Sequence, residues 1–247
     1  MVSIVFIIPY RNRETQLKFF REHIKYIMED YSKDDYKIIV VHQKNKETFN
    51  CGAIKNIGFT LVRHLYPKEY KDITLVFNDV DTMPKYKNMF NYKTHENKIK
   101  HFFGFNFALG GIVSITGKDF EKVNGFPSVW SYGIEDNTLQ KRALKNNITI
   151  DRSEFVDIKS CKNVIHFKDD FIKVVNHKEL YRVHYGIVDG VSDLKNIIWN
   201  YDSANDVYDI YKFDTKYPED KKTTYIHDQN KLGAVTMQRS KRKWNLF

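Results

Sequence analysis

Cysteine is nearly absent. Cys51 and Cys161 are the only two in 247 residues, and no CxxC occurs. That excludes a disulfide scaffold and a cysteine zinc site, and it suits a reducing compartment. Long apolar runs are absent too. The chain is 42% hydrophobic, yet no stretch approaches the ~18–20 residues of a membrane span. The early run Ile4–Ile8 stops at Pro9, with no basic residue before it and no small-residue cleavage site after it. No signal peptide is therefore expected. Internal repeats and low-complexity linkers are also missing. The net charge of +9 is uneven: residues 221–247 supply +6, from seven Lys/Arg against one acid, and residues 1–220 only +3. The main body is thus not a uniformly basic nucleic-acid binder, and a nucleic-acid partner is not expected. The cluster Arg239–Lys243 suits an anionic surface, or is a solvated terminus. What remains is an ordinary globular composition, long enough for one large α/β domain. The expected division is a domain over 1–220 and a basic C-terminal tail over 221–247, frayed or packed on the same domain.

The apolar pattern points to a parallel sheet. Val2–Ile8 is a continuous β-branched run, which reads as a buried strand. Leu17, Phe20, Ile24 and Ile27 have helical spacing within 14–29. Lys37–His42 holds a second buried strand, 53–65 a second helix, and Ile73–Phe77 a third strand. Strand, helix, strand, helix, strand over 80 residues is the signature of parallel strands with crossover helices. Ligands bind such sheets at the carboxyl ends of the strands. Pro9–Arg13 and Asp79–Asp81 fall at two such ends. Further on, Gly110-Gly111 precedes a strand at Ile112–Ile115, and a short helix at 118–123 leads to the turn Asn124-Gly125-Phe126-Pro127. Glu135–Lys145 reads as a helix with acids in its first turn, which the helix dipole favours. Short strands are expected over 148–167. Residues 168–247 have weak periodicity.

Four groups could carry chemistry. Asp79-Val80-Asp81 directly follows a buried strand, so alternation lets both carboxylates face one cleft while Val80 packs the other way. Two hard oxygens there can hold a divalent cation against a diphosphate, or form a solvated turn. Arg11 and Arg13 are guanidinium forks that match phosphate oxygens, or surface arginines. Trp130 to Asp136 joins aromatics to paired acids. Aromatic faces cover sugar rings and a carboxylate can take a hydroxyl proton. The alternative is core Trp and Tyr beside helix N-terminal acids. His166, among apolar residues, is a core histidine unless a metal site is supported elsewhere.

Taken together and in order, these residues resemble the β-1,4-galactosyltransferase family, glycosyltransferase family seven. The resemblance covers about residues 4–190. It rests on Ile8-Pro9-Tyr10-Arg11-Asn12-Arg13-Glu14, on Phe49-Asn50 through Asn56-Ile57-Gly58-Phe59, and on Phe77-Asn78-Asp79-Val80-Asp81. Gly110-Gly111 with Asn124–Pro127, and Trp130 to Asp136, complete it. It implies a GT-A fold, a nucleotide-sugar-binding α/β sheet with an acceptor-side second half. It also implies Mn²⁺-dependent, inverting transfer of galactose or N-acetylgalactosamine from a UDP-sugar to a glycan acceptor. By that resemblance Asp81 and His166 are metal ligands, Asp136 is the catalytic base, and Glu135 is its acceptor-binding neighbour. Pro9, Arg11, Arg13 and Asn50 join Asp79, Val80 and Gly111 as the donor-binding set. Ala108, Trp130 and Tyr132 belong to the acceptor and specificity side.

The departures are informative. Asn163 stands where the family has a metal-binding Met, which leaves Mn²⁺ versus Mg²⁺ open. Cys51 replaces the motif's Arg, Tyr132 a mobile-loop Trp, and Ile134 a Gly. Ala108 stands where galactose-specific members have a Tyr, and small residues there admit N-acetylated donors. The stem, membrane anchor and cysteine pairs of animal members have no counterpart, so a cytoplasmic or otherwise soluble location is expected. A non-catalytic sugar- or nucleotide-binding protein on the same fold is the competing reading, favoured by Cys51, Asn163 and Ile134.

Overall fold

The computed structural model describes residues 2–160, 163–167, 172–186 and 189–228. Its frame is the run expected from the apolar pattern: β1 (Ile4–Tyr10), α1 (Glu14–Ile27), β2 (Tyr36–Gln43), α2 (Cys51–Leu65) and β3 (Thr74–Asn78). β1 is buried at every position and pairs in parallel with β2 and β3. Being covered on both faces is why it reads as an unbroken apolar run. Its side chains alternate between two cores. Val5 and Ile7 pack with Ile54, Ile57 and Val62 of α2, while Ile4, Phe6 and Ile8 pack with Leu17, Phe20 and Ile24 of α1. The helices therefore cover opposite faces. α2 begins two residues before the periodicity predicts, because the Asn50 side chain accepts from Ala53 N at 2.9 Å and caps its first turn.

The chain continues through β4 (Thr82–Pro84), β5 (Lys98–Gly104), β6 (Ile112–Thr116), α3 (Gly117–Lys122), α4 (Glu135–Lys145), β7 (Thr149–Asp151) and β8 (Val156–Asp157). There follow β9 (Val164–His166), β10 (Ile172–Asn176), α5 (His177–His184), β11 (Lys195–Asp202), β12 (Val207–Asp214) and β13 (Thr224–Asp228). The main sheet runs β11-β12-β2-β1-β3-β6-β5-β7, with β8 also on β5. β12, β2, β1 and β3 are parallel, and β6 is antiparallel to both β3 and β5. Two small sheets, β10–β13 and β4–β9, flank it.

The weak pattern after residue 168 conceals the β11–β12 hairpin. β11 lies at the sheet edge with most of its side chains exposed, so no alternation marks it. Part of the stretch expected as a tail is structured: 221–223 form a 3-10 turn, and β13 pairs with β10. The Arg239–Lys243 cluster and Cys161 lie outside the described residues. No helix among the described residues is long and apolar enough to cross a membrane.

Candidate active site

The carboxyl ends of the strands gather acids around one buried lysine. Lys55 rises from α2 and is only 3% exposed. Its ammonium lies 3.4 Å from Asp79 Oδ1, 3.5 Å from Asp136 Oδ1 and 4.8 Å from the centroid of the Phe126 ring. These carboxylates arrive from different elements. Asp79 follows β3, and Asp136 is the second residue of α4. β3 stops at Asn78, so Asp79–Asp81 form a turn and not the extended strand end the alternation argument assumed. The Asn78 amide closes that turn, donating to the carbonyls of Asp79 and Thr82 at 2.8 Å each. Val80 is buried as expected, but the two acids part company: Asp79 meets Lys55, and Asp81 turns to the β4–β9 side.

The paired glycines fit α4 against this turn. Leu109 N donates to Asp136 O at 3.2 Å, and Asp79 N to Gly111 O at 3.0 Å. Gly111 has φ +72, a conformation glycine takes without strain. A Cβ on Gly110 would stand 2.3 Å from Asp136 Oδ2, so the carboxylate rests directly on the backbone. Ile134, which enters α4 at φ 66, adopts a left-handed geometry that is costly for a β-branched residue. The expected motif has glycine there.

Electrostatics follow from this crowding. Burial raises the Glu135 carboxyl to about 7, with the neighbouring Asp136 charge adding and Lys55 opposing. Burial also raises Asp136, Lys55 pulls it back, and Asp79 pushes it up. Burial pushes the Cys51 thiol up, so it is neutral. Glu135 Oε2 and Asn50 Nδ2 are buried without a hydrogen-bond partner among the described residues, and Asp136 Oδ1 has only the Lys55 ammonium at 3.5 Å. Buried polar atoms are normally satisfied, so these atoms are where a polar ligand would find partners.

Asp81 and His166 meet across the small sheet, where Thr82 is in register with His166. The Thr82 hydroxyl lies 2.9 Å from Asp81 Oδ1 and 3.0 Å from His166 Nδ1, and Nδ1 is 4.0 Å from Oδ1. The hydroxyl has one proton, and the carboxylate is its natural acceptor. It then accepts from Nδ1–H, a tautomer that leaves a lone pair on Nε2. One carboxylate and one free imidazole nitrogen fit a divalent transition metal as a partial donor set. No group of three or more His, Cys, Asp or Glu able to hold a metal occurs among the described residues. Asn163 is exposed, and its carbonyl accepts from Lys85 N at 2.9 Å.

The remaining expected residues divide. Pro9, next to last in β1, is in register with Val41. Arg11 donates to the Glu47 carbonyl, tying it to the loop after β2, and Arg13 occupies the N-cap position of α1, its carbonyl accepting from Leu17 N at 2.8 Å. Ala108 is buried in the turn between β5 and β6, its N–H donating to Phe105 O at 3.1 Å. Phe105 and Phe107 beside it are exposed and stacked at 5.2 Å. Tyr132 is 48% exposed with the Lys173 ammonium 3.6 Å over its ring. Trp130 is 3% exposed and stacked on Phe213, and its indole N–H reaches Thr215 Oγ1 and Tyr217 O at 3.0 Å. Its ring is committed to the core. Sequence reasoning missed Lys55. The available signal was a charged residue amid Ala53, Ile54, Ile57 and Phe59. A cleft of about 480 Å³ lies elsewhere, between α1 and β12, lined by residues including Tyr10, Arg21, His42 and Asp209.

Two family matches run along the chain. Residues 1–93 match the N-terminal region of glycosyl transferase group 7, and residues 91–170 the N-terminal domain of galactosyltransferase. β-1,4-galactosyltransferase 1 of Bos taurus is 29% identical over 176 residues, which is 68% of this chain and 42% of that protein. β-1,4-galactosyltransferase 4 of Cricetulus griseus is 28% identical over 177 residues, 67% of this chain and 49% of that protein. The chain thus spans under half the length of these relatives. The catalytic domain of Drosophila β-1,4-galactosyltransferase 7, solved with xylobiose, matches with a TM-score of 0.66 at 18% identity, covering 90% of this chain and 98% of that one. A mutant of the Drosophila enzyme, solved with manganese, UDP-Gal and xylobiose, matches at 0.64 and 16% identity, with the same coverage. The fold is of the GT-A type.

Proposed function

Because the chain belongs to glycosyltransferase family seven, we propose that it is a hexosyltransferase. It moves galactose or N-acetylgalactosamine from a UDP-sugar to a hydroxyl of a glycan acceptor, with inversion. The observation that carries this reading is the half-buried Asp136, resting on Gly110 and sharing Lys55 with Asp79 at the carboxyl end of β3. Inversion needs one in-line displacement and one base. Asp136 takes the acceptor proton as that oxygen attacks the anomeric carbon, and the bond to the diphosphate breaks. Burial raises its proton affinity, which suits a group that must accept a proton near neutral pH. Glu135 holds an acceptor hydroxyl beside it.

On the donor side, Arg11 and Arg13 meet phosphate oxygens, and the unpartnered Asn50 amide donates to the nucleotide sugar. Asp79 and the Gly111 backbone contact the sugar, and Pro9 and Val80 shape the floor. Asp81 and His166, through Nε2, would hold Mn²⁺, with donor oxygens filling the set. When bound, the cation supplies positive charge against the charge developing on the leaving diphosphate. The Drosophila neighbour's complex with manganese, UDP-Gal and xylobiose supports the donor and acceptor classes. The small side chain of Ala108 supports tolerance of an N-acetyl group, and Tyr132 offers a sugar-facing ring.

The test is UDP release from UDP-Gal and UDP-GalNAc with Mn²⁺, with and without a mixture of sugar acceptors. Acceptor-stimulated release is expected. Asp136→Asn should still bind the donor but turn over about 10²–10⁴-fold more slowly. If wild type binds a UDP-sugar yet releases no more UDP than Asp136→Asn does, the chain is a binding protein.

A further inference from the structure

The site holds more negative than positive charge. Three acids, Asp79, Glu135 and Asp136, crowd a half-buried pocket, and Cys51 is neutral there. The Asp79 and Asp136 oxygens each lie within ion-pair reach of one nitrogen, so they stand no more than about 7 Å apart, close enough to repel. The cation that answers them is Lys55. It lies four residues beyond Cys51 on α2, hence on the same helix face one turn on. No other basic side chain among the described residues is within ion-pair distance of Asp79 or Asp136.

We propose that Lys55 is a positioning residue for the transfer reaction, its buried ammonium between Asp79 and Asp136 holding Asp136 ionised and aimed at the acceptor. The geometry suits the task. The lysine stem is packed in the core, and its head lies over the Phe126 ring, itself fixed by hydrogen bonds from Phe126 N to Asn56 Oδ1 at 2.9 Å and from Asn56 Nδ2 to Phe126 O at 2.8 Å. The ammonium therefore cannot swing to solvent to leave the acids unpaired. Asp79, on the donor side, and Asp136, on the acceptor side, share this cation, so without it Asp136 would face the Asp79 carboxylate with no counter-ion between them. A buried acid with its counter-ion removed shifts towards the protonated form, and a protonated Asp136 cannot act as a base.

This inference rests on Asp136 being the base. The experiment measures kcat and donor KM for UDP release from pH 5.5 to 9 in wild type, Lys55→Met, Lys55→Gln and Lys55→Arg, with Asp136→Asn as reference. Loss of the ammonium in Lys55→Met should lower kcat at pH 7 by about 100-fold, move donor KM by less than about fivefold, and raise the acid limb by about one pH unit or more. Lys55→Arg, which keeps the charge, should keep the wild-type acid limb. Lys55→Gln, neutral but able to hydrogen-bond both carboxylates, should behave as Lys55→Met does and is read in its place if that variant does not fold. A neutral variant that retains more than about a third of kcat, or that loses kcat with its acid limb unmoved, overturns the proposal. A wild type no faster than Asp136→Asn overturns the functional reading instead.

Discussion

Replacing Gly110 by alanine inserts one carbon where there is no room for it. The new Cβ would stand 2.3 Å from Asp136 Oδ2 and 2.9 Å from its Cγ, and ordinary contact begins near 3.4 Å. About 1 Å must be found, and each way of finding it is costly. The Asp136 backbone is held by Leu109 N and by the first turn of α4, so the carboxylate itself must rotate out of its resting position. A displacement of about 1 Å in a reacting group costs on the order of 10² in rate. Overpacking of this kind costs about 1–3 kcal/mol of stability. Gly110→Ala is therefore expected to fold, to melt several degrees lower, to keep UDP-sugar affinity within a few-fold, and to lose about two orders of magnitude in kcat. Thermal melts, donor titration calorimetry and UDP release on one preparation separate these effects. A kcat within threefold of wild type in a folded Gly110→Ala would show that the resting position of Asp136 does not matter to the reaction, and the base would have to be sought elsewhere.

Three other outcomes are expected. Asp81→Ala and His166→Ala should each weaken Mn²⁺ binding, read by the manganese EPR signal without substrate, by at least about tenfold; undiminished binding in both removes them as ligands. Glu135 has a folded carboxyl raised to about 7 from a reference of 4.5, so the folded state holds its proton more tightly. Its contribution to stability is full below about 4.5 and is lost as pH rises to about 7. Glu135→Gln should therefore gain in Tm relative to wild type between pH 5 and pH 8, and a pH-independent difference would refute the shift. Ala108→Tyr should move the kcat/KM ratio of UDP-GalNAc to UDP-Gal towards UDP-Gal by about 10–200-fold; an unmoved ratio means Ala108 does not line the donor pocket.

What could be read in advance was whatever a short window of sequence determines. β1, β2 and β3 are buried on both faces, so composition alone marks them, and the parallel order follows from the helices between them. Glu135–Lys145 was legible at both ends because acids lead it and basic residues close it. The β4–β9 pairing was not legible, since three-residue strands have no period to detect, yet that pairing is what carries His166 to Asp81. Trp130 fits a sugar platform and a core slot equally well by residue type. Only its indole bonds to Thr215 and Tyr217, 85 and 87 residues away, decide for the core. Lys55 was hidden for a similar reason. A lysine in an apolar helix stripe ordinarily carries its ammonium out to water along the stem, and nothing local distinguishes that case from one in which two distant acids converge on it. Residue types and spacings reveal which charges a site contains. Which of them share a counter-ion is a property of the three-dimensional closure, and in this chain only the folded structure brings Asp79 and Asp136 to the same ammonium of Lys55.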